Sequence, residues 1–296
     1  MRTVLSIIIV AFVFTSCIKN NPDPSWIEIG KWELQDNPNS VHETGVLTSN
    51  ISDAWVYMDG DLLGVFELPV KLPILKDGSH SFKIYPAVLN NGISATKKIY
   101  PFLESFDVVL DLVKNETIEI APKTRYYSAV KFWIEDFEDA TFDIQDGPTS
   151  PVSIQRVSGS PILDASINEG AFGRISLDAT NYFWVGSTIA NNGGTLVMNL
   201  PKGQEVYLEI DYHNTNQLTT GVLAINSLGI ASDNINIRLN SQVDGEIRWK
   251  KIYIDLREIV SASVNASYFE FSFQSFLDEG ELVGEVNIDN IKAVYF

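Results

Sequence analysis

Residues 206–213 read Val-Tyr-Leu-Glu-Ile-Asp-Tyr-His, and this stretch has the period of two that indicates a β-strand. Val206, Leu208, Ile210 and Tyr212 fall on one face, and Tyr207, Glu209, Asp211 and His213 fall on the other. The same alternation recurs in residues 249–256, WKKIYIDL, and in residues 268–274, YFEFSFQ. Each strand has an apolar face and a polar face that retains aromatic rings, which indicates an antiparallel sheet buried on one side.

Short apolar runs separated by Gly, Asp, Asn and Pro occur along most of the chain, and long helical periodicity is scarce. The sequence therefore predicts an all-β fold. The 296 residues are 45% hydrophobic and 11% aromatic, which is enough apolar material for two hydrophobic cores. We expect a small β-sandwich at residues 26–121, a linker at residues 122–127 and a second sandwich at residues 128–296.

Two Asp-Gly pairs mark turns in the first sandwich. Asp59-Gly60 separates two apolar runs, and this dipeptide favours the positive φ angles of a tight hairpin. Asp77-Gly78 repeats the pattern before the next run. The segment from Val56 to Ile84, which contains both pairs, resembles the PEGA-type surface-protein module. That resemblance implies a small Ig-like sandwich that serves as a spacer or docking module.

The second sandwich contains three short motifs. Phe137-Glu138-Asp139 follows its first strand, a Trp and an Ile-Asp-Leu lie in residues 249–256, and Ile288-Asp289-Asn290-Ile291 lies near the end. Together these motifs resemble the jelly-roll modules of the carbohydrate-binding kind, over residues 130–296. The resemblance implies a jelly roll and a glycan ligand, although adhesive and structural jelly rolls share these motifs.

In that family a structural calcium ion often ties the opening strand to the closing strand. By position, Glu138 and Asp289 match the family's ligands, and oxygen ligands in an acidic chain suit calcium. The resemblance thus implies a structural calcium site. The alternative is that these two carboxylates cap turns or pair with nearby lysines.

Aromatic rings interleaved with carboxylates and amides suit a sugar, because a pyranose stacks its C–H face on a ring while its hydroxyls form hydrogen bonds. The candidate glycan-binding rings are Tyr207, Trp249, Tyr253 and Tyr268, and their polar partners are Glu209, Asp211, Glu270 and Gln274. Tyr182 and Trp184 share a face and are further candidates at the loop end of the sandwich. The alternative for the four strand rings is that they stabilise the outer sheet through cross-strand pairs or lie on separate sheets, and the alternative for Tyr182 and Trp184 is burial under a loop.

Catalytic motifs are lacking in the sequence. His42, His80 and His213 are far apart, and neither a GxSxG elbow nor a phosphate-binding glycine loop occurs. Two carboxylates suffice for glycoside hydrolysis, and a chain with 38 acidic residues leaves that reaction open. The net charge of −17 argues against nucleic acid, whose phosphates must be neutralised by Lys and Arg. We expect a binding protein without a catalytic cofactor rather than an enzyme.

The N-terminus has the plan of a signal peptide. Arg2 precedes an apolar run from Val4 to Phe14, which is shorter than the roughly 20 residues a membrane-spanning helix needs. Phe14-Thr15-Ser16-Cys17 resembles the lipobox that is cleaved before a lipid-modified cysteine. We expect residues 1–16 to be removed, Cys17 to be acylated and residues 17–25 to form a tether. The alternative is an ordinary secretory signal with an unrelated cysteine.

The lipobox, the tandem β-domains and the acidic balance together resemble lipoproteins of the Bacteroidota. This resemblance implies a lipid anchor in the outer membrane, and we favour the cell surface over the periplasmic face. We expect the second sandwich to bind glycan. The alternative function is a subunit that binds another outer-membrane protein in a secretion, gliding or adhesion assembly.

Overall fold

A computed structural model describes residues 23–159, 170–188, 198–232, 237–243 and 247–296. Its first half contains β1 (Ser25–Ile29), β2 (Glu33–Leu34), β3 (Asp53–Met58), β4 (Asp61–Glu67), β5 (Val70–Ile74), β6 (Gly78–Leu89), β7 (Lys97–Ile99), β8 (Phe106–Leu112), β9 (Thr117–Ile120) and β10 (Lys123–Thr124). Its second half contains β11 (Lys131–Glu135), β12 (Ile144–Asp146), β13 (Gln155–Ser158), β14 (Ala171–Asp178), β15 (Phe183–Thr188), β16 (Val206–Asn214), β17 (Leu218–Ile225), β18 (Ala231–Ser232), β19 (Ile237–Leu239), β20 (Lys250–Asp255), α1 (Arg257–Ala262), β21 (Tyr268–Phe276) and β22 (Val283–Tyr295). The all-β prediction is confirmed.

Strands β1–β10 form the first domain. One sheet has the order β4-β3-β6-β7, with β8 also paired to β6, and a second sheet has the order β5-β1-β9. Strand β10 pairs with β2 in a short ladder. Ile27 of β1 packs in one apolar cluster with Val56 of β3 and Ile84 of β6, so the two larger sheets enclose a common core.

The first Asp-Gly pair forms the predicted hairpin. Asp59 and Gly60 join β3 to β4 with φ angles of 52° and 90°, and φ is positive at both central residues of a type I′ turn. Asp59 Oδ1 also accepts a hydrogen bond of 3.0 Å from the Ser81 N–H. The turn is thereby tied to β6, the central strand of its sheet.

Strands β11–β22 form the second domain, a jelly roll. One sheet, which we call the junction sheet, has the order β13-β14-β22-β16-β20, with β11 also paired to β22. The opposite sheet has the order β12-β15-β21-β17-β18, with β19 also paired to β17. From β14 to β17 and from β20 to β22, successive strands alternate between the sheets, as in a jelly roll. The predicted architecture of the second domain is confirmed.

The alternating pattern correctly predicts which side chains fill the core of the jelly roll. Leu208 and Ile210 of β16 pack with Ile252 of β20 from the junction sheet. Phe271 and Phe273 of β21 meet them from the opposite sheet, and both are at most 1% exposed. Apolar burial of this kind stabilises a fold by roughly 25 cal/mol per Å².

The outer face of the junction sheet is also buried, because the first domain packs on it. Tyr207, Tyr253 and Val294 belong to the apolar cluster of the first domain although they lie in β16, β20 and β22. Asn91 N–H donates a 2.9 Å hydrogen bond to the Tyr253 carbonyl, which joins the backbones of the two domains. The prediction that this sheet is buried on one side is therefore wrong. The opposite sheet keeps the predicted half-exposed outer face.

Within the described ranges, no helix is long and apolar enough to cross a membrane.

Candidate functional site

Tyr207 and Tyr253 lie in the junction between the domains. Their side chains are 0% and 3% exposed. The ring of Tyr100 packs edge-on against both, with centroid distances of 5.1 Å to Tyr207 and 5.0 Å to Tyr253. Because neither ring has a free face, the prediction that these two tyrosines stack on sugar is wrong.

Glu209 and Asp211, the predicted polar partners, are buried in the same junction. Lys251 Nζ lies 3.0 Å from Glu209 Oε2 and 3.3 Å from Asp211 Oδ1. Glu209 Oε2 has no geometrically good hydrogen bond, so the ion pair is its electrostatic partner. Glu209 Oε1 accepts hydrogen bonds from the hydroxyls of Tyr100 and Tyr126. Glu209 thus joins the two domains, Asp211 is buried beside it, and their prediction as glycan ligands is wrong.

The ionisation of this cluster follows from burial and from opposite charge. Burial opposes the charged form of Glu209, but Lys251 and Lys292 outweigh it and hold the pKa of Glu209 below its ordinary value. Burial also opposes the charged form of Lys251, whose pKa is nevertheless raised by Asp211 and Glu209. Glu209 and Lys251 are therefore a charged pair at neutral pH, buried in the junction.

The two candidate tryptophans are buried as well. Trp249 is 5% exposed, and its ring packs 5.7 Å from Phe172 and 5.8 Å from His213. Trp184 is fully buried in the core of the jelly roll, where its indole N–H donates a 2.7 Å hydrogen bond to Asp146 Oδ1. Neither ring is open to a ligand, so the prediction that these two tryptophans bind sugar is wrong.

The outer face of β21 presents the remaining candidates to solvent. Tyr268, Glu270 and Gln274 alternate with the buried phenylalanines of this strand, and all three are half-exposed. Ser272 lies between the last two on the same face. Burial raises the pKa of Glu270, and a hydrogen bond with Ser187 of the neighbouring strand opposes that rise. The structure thus brings together these three predicted residues.

Two phenylalanines that the sequence interpretation missed extend this face. Phe183 of β15 pairs with Phe276 of β21, and their rings stack with centroids 5.8 Å apart and planes 18° apart. Phe276 is 46% exposed. Tyr182, a predicted candidate that is 53% exposed, lies 5.2 Å from the Phe183 ring. The signal was present, because Phe276 continues the period of two that begins at Tyr268, and Phe183 has the opposite parity to buried Trp184.

We call this surface the ring platform: Tyr182, Phe183, Tyr268, Glu270, Ser272, Gln274 and Phe276. Tyr268 and Phe276 are eight residues apart on one strand, so the platform is roughly 27 Å long at about 3.4 Å per residue. Rings lie at both ends, and carboxylate, hydroxyl and amide groups lie between them. Such a face offers apolar stacking together with hydrogen-bond donors and acceptors along one line.

The two predicted calcium ligands have other partners. Glu138 Oε1 accepts a 2.7 Å hydrogen bond from the Ala171 N–H, and Asp289 Oδ1 accepts one of 2.7 Å from the Asn290 N–H. Burial raises the pKa of Asp289 to about 8. Within the described residues, no group of three or more His, Cys, Asp or Glu side chains is placed to hold a metal ion. The residues therefore do not fit a calcium site by themselves, and calcium binding stays a prediction.

The predicted lipidation site, Cys17, lies outside the described residues.

Comparison with known proteins gives likenesses to solved structures only. No protein-family model matches the chain, and no curated protein matches it. The enzymatically active domain of tailspike protein 4 from Bacteriophage CBA120 is 14% identical over 54% of this chain, with a TM-score of 0.38, and the match spans 20% of that chain. The CBM22-1 xylan-binding domain from Paenibacillus barcinonensis Xyn10C is 11% identical over 55% of this chain and 92% of its own, with a TM-score of 0.35. A carbohydrate-binding module of the β-sandwich superfamily is 14% identical over 80% of this chain and 83% of its own, with a TM-score of 0.37. TM-scores this low carry no conclusion about function.

Proposed function

We propose that this protein is a non-catalytic glycan-binding protein and that the ring platform of its second domain is the binding surface. One observation carries the proposal. The rings of Phe183 and Phe276 stack on the solvent-facing side of the sheet, beside exposed Tyr182. The same face carries the polar groups Glu270, Ser272 and Gln274. A contiguous exposed apolar patch rimmed by polar groups marks an interaction surface on a soluble domain.

The shape of the surface favours a linear, amphipathic ligand. The rings and the polar groups share one strand and its neighbour, so a ligand that lies along β21 meets both kinds of group in turn. A pyranose chain has this character, because each unit carries a C–H face and a rim of hydroxyls. The cross-strand pair alone accounts for the stacking of Phe183 and Phe276, but it leaves their exposure unexplained.

The carboxylates on this face favour binding over hydrolysis. Glycoside hydrolysis needs a pair of carboxyl groups about 5–10 Å apart on either side of the bond that breaks. Among the described residues of the platform strands β15 and β21, Glu270 is the only carboxylate. A single acid on a ringed surface is suited to accepting hydrogen bonds from sugar hydroxyls.

We further propose that the protein is held on the outer membrane by acylation of Cys17, with the cell surface as its site of display. The support is the apolar segment from Val4 to Phe14 followed by the lipobox-like residues before Cys17. Replacing Cys17 by Ala tests this anchor. The expected result is release of the protein into the soluble fraction, and membrane retention of the Cys17→Ala form contradicts the proposal.

The glycan-binding proposal is tested with a soluble form that begins at Asp23. This form is applied to a glycan array, and the strongest binder is then titrated by calorimetry against the wild type and Tyr268→Ala/Phe276→Ala. Loss of each stack weakens binding, and we expect the platform affinity to fall at least tenfold, or about 1.4 kcal/mol. Val264→Ala, at an exposed position that is not part of the platform, is the control and leaves binding unchanged. A blank array with folded protein contradicts the proposal.

A further inference from the structure

A second surface with aromatic rings lies on the first domain, distant in sequence from the ring platform. It is a groove of about 870 Å³ on the outer face of the sheet that contains β3, β6 and β8. Tyr57 and Tyr85 line it, with ring centroids 5.7 Å apart and planes at 81°. Two nearly perpendicular rings present both a flat face and an edge to a molecule in the groove.

Polar groups accompany these rings. Lys83 Nζ lies 5.8 Å from the centre of the Tyr85 ring and 3.1 Å from Asp107 Oδ2. The Lys83 and Asp107 side chains are 47% and 57% exposed, so both can turn towards a ligand. Together with Ser81, they place hydrogen-bond donors and acceptors beside the ring faces.

The charge of the groove selects the class of ligand. Lys83 and Asp107 are the only charged residues among those that line it in the described chain, and their charges cancel. An anionic or a cationic ligand would gain one partner and meet one like charge, whereas a neutral hydroxylated ligand can use both groups. The volume lies within the range of about 300–1,000 Å³ that is typical of small-molecule sites.

The position of the groove favours a small ligand over an added strand. Its lining comes from the faces of neighbouring strands, and Ile99 and Val109 add apolar walls. Backbone hydrogen bonds of a sheet run between strands in the plane of the sheet, so a ligand on the face meets side chains instead. Rings, apolar walls and a neutral pair of polar groups together fit the two faces of a sugar ring.

We propose that this groove is a second binding site for a neutral oligosaccharide. The proposal rests on the proposed glycan-binding function and extends it to the first domain. Because the domain junction is buried, the groove and the ring platform are held at a fixed separation. A glycan long enough to reach both would bind more tightly than either site alone allows.

The test titrates the soluble form that begins at Asp23 with cellohexaose, xylohexaose and mannohexaose. The forms compared are the wild type, Tyr85→Ala, Lys83→Ala and Tyr268→Ala/Phe276→Ala. Trp26→Ala is the matched control, because Trp26 also lies beside a lysine, Lys71 at 5.6 Å, but on the other sheet of the same domain. Lys83→Ala removes an exposed side chain and keeps the test valid if Tyr85→Ala fails to fold.

We expect the wild type to bind at two sites and the platform variant to keep one. Tyr85→Ala and Lys83→Ala each weaken the groove site at least tenfold and leave the platform site unchanged, and Trp26→Ala leaves both sites unchanged. If the platform variant loses all binding, or if both groove variants bind like the wild type, the groove proposal is overturned and the platform stands. If the groove variants alone lose binding, the platform assignment fails and the groove stands. A wild type that binds none of the three hexaoses overturns the groove proposal, and a blank glycan array is the separate result that contradicts the platform.

Discussion

Lys251 is a buried cation whose ammonium group lies between two carboxylates of the second domain, Glu209 and Asp211. Its side chain is 3% exposed, and its Nζ also donates to Thr48 Oγ1 of the first domain at 3.0 Å. A buried ion pair contributes little net stability compared with an apolar pair, but removal of one partner leaves a buried charge without compensation. Lys251 is therefore a residue whose loss affects the whole junction.

Lys251→Met tests whether the buried ion pairs hold the junction together. We expect the free energy of unfolding, measured by urea denaturation, to fall by about 3–5 kcal/mol, because Glu209 and Asp211 lose their cation. Lys131→Met is the control, since Lys131 is an exposed lysine of the same sheet, and its effect should stay within about 0.5 kcal/mol. Equal stability of the two variants would show that the junction does not depend on this ion pair.

Lys292 gives the junction a dependence on pH. Burial lowers its pKa to about 8, and its Nζ donates to the carbonyls of Thr44 and Val46. Between pH 8 and the ordinary lysine pKa of 10.5, the unfolded chain binds a proton that the folded chain has lost, so stability rises with pH. Relative to Lys292→Met, the wild type should gain roughly 3 kcal/mol over this window. A difference in unfolding free energy that is independent of pH contradicts the lowered pKa.

Close packing around Gly186 of β15 leaves no room for a side chain at that position. A Cβ at Gly186 would lie 2.5 Å from the buried Trp184 ring and 3.2 Å from the Gln145 carbonyl of β12. The indole is held by the core and by its hydrogen bond to Asp146, so the added atom can be accommodated only if the Trp184 ring leaves its packed position and β15 shifts with it. This glycine therefore keeps the strand that carries Phe183 in place.

Gly186→Ala should destabilise the protein by about 1–3 kcal/mol through overpacking. Gly30→Ala is the matched control, because a Cβ there meets its nearest atom, the Ile120 carbonyl oxygen, at an ordinary 3.4 Å. Thermal unfolding followed by circular dichroism compares the two. Identical midpoints for the two variants would contradict the crowding at Gly186.

The elements also show how far sequence alone can reach. The period of two placed Phe269, Phe271 and Phe273 in the core and Tyr268 outside it, and the structure agrees. The same pattern in β16 placed Tyr207 outside, yet it is fully buried. Local alternation distinguishes the two faces of a strand. Whether the outer face is exposed to solvent depends on the packing of another domain that is distant in sequence. No local pattern carries that information.

At the scale of the whole molecule, the two domains form one packed body. Tyr100 and Phe102 of the first domain interlock with Tyr207 and Tyr253 of the second, and Lys98 pairs with Asp255 at 2.8 Å. The junction combines packed aromatic rings with the buried ion pairs of Lys251. Such an interface resembles a domain core more than a transient contact, and it makes hinge motion between the domains costly.

Calorimetry of the whole chain should therefore show a single unfolding transition. Tyr253→Ala should lower it for both domains together, at a cost of about 3–5 kcal/mol, because the truncation leaves a cavity and deprives the Asn50 N–H of the hydroxyl 3.0 Å away. Tyr182→Ala, on the exposed platform, is the control and should leave the transition in place. Two separate transitions in the wild type would show that the domains unfold independently.

Exposed and buried rings are compared directly by measuring Tyr268→Ala/Phe276→Ala and Tyr253→Ala in both affinity and stability. The glycan selected by the array is titrated into each form, and urea unfolding is recorded beside it. We expect the platform variant to lose at least tenfold in platform affinity with little change in stability, and Tyr253→Ala to lose stability first. A platform variant that binds like the wild type, or a stably folded Tyr253→Ala that no longer binds, would contradict the division between exposed binding rings and buried joining rings.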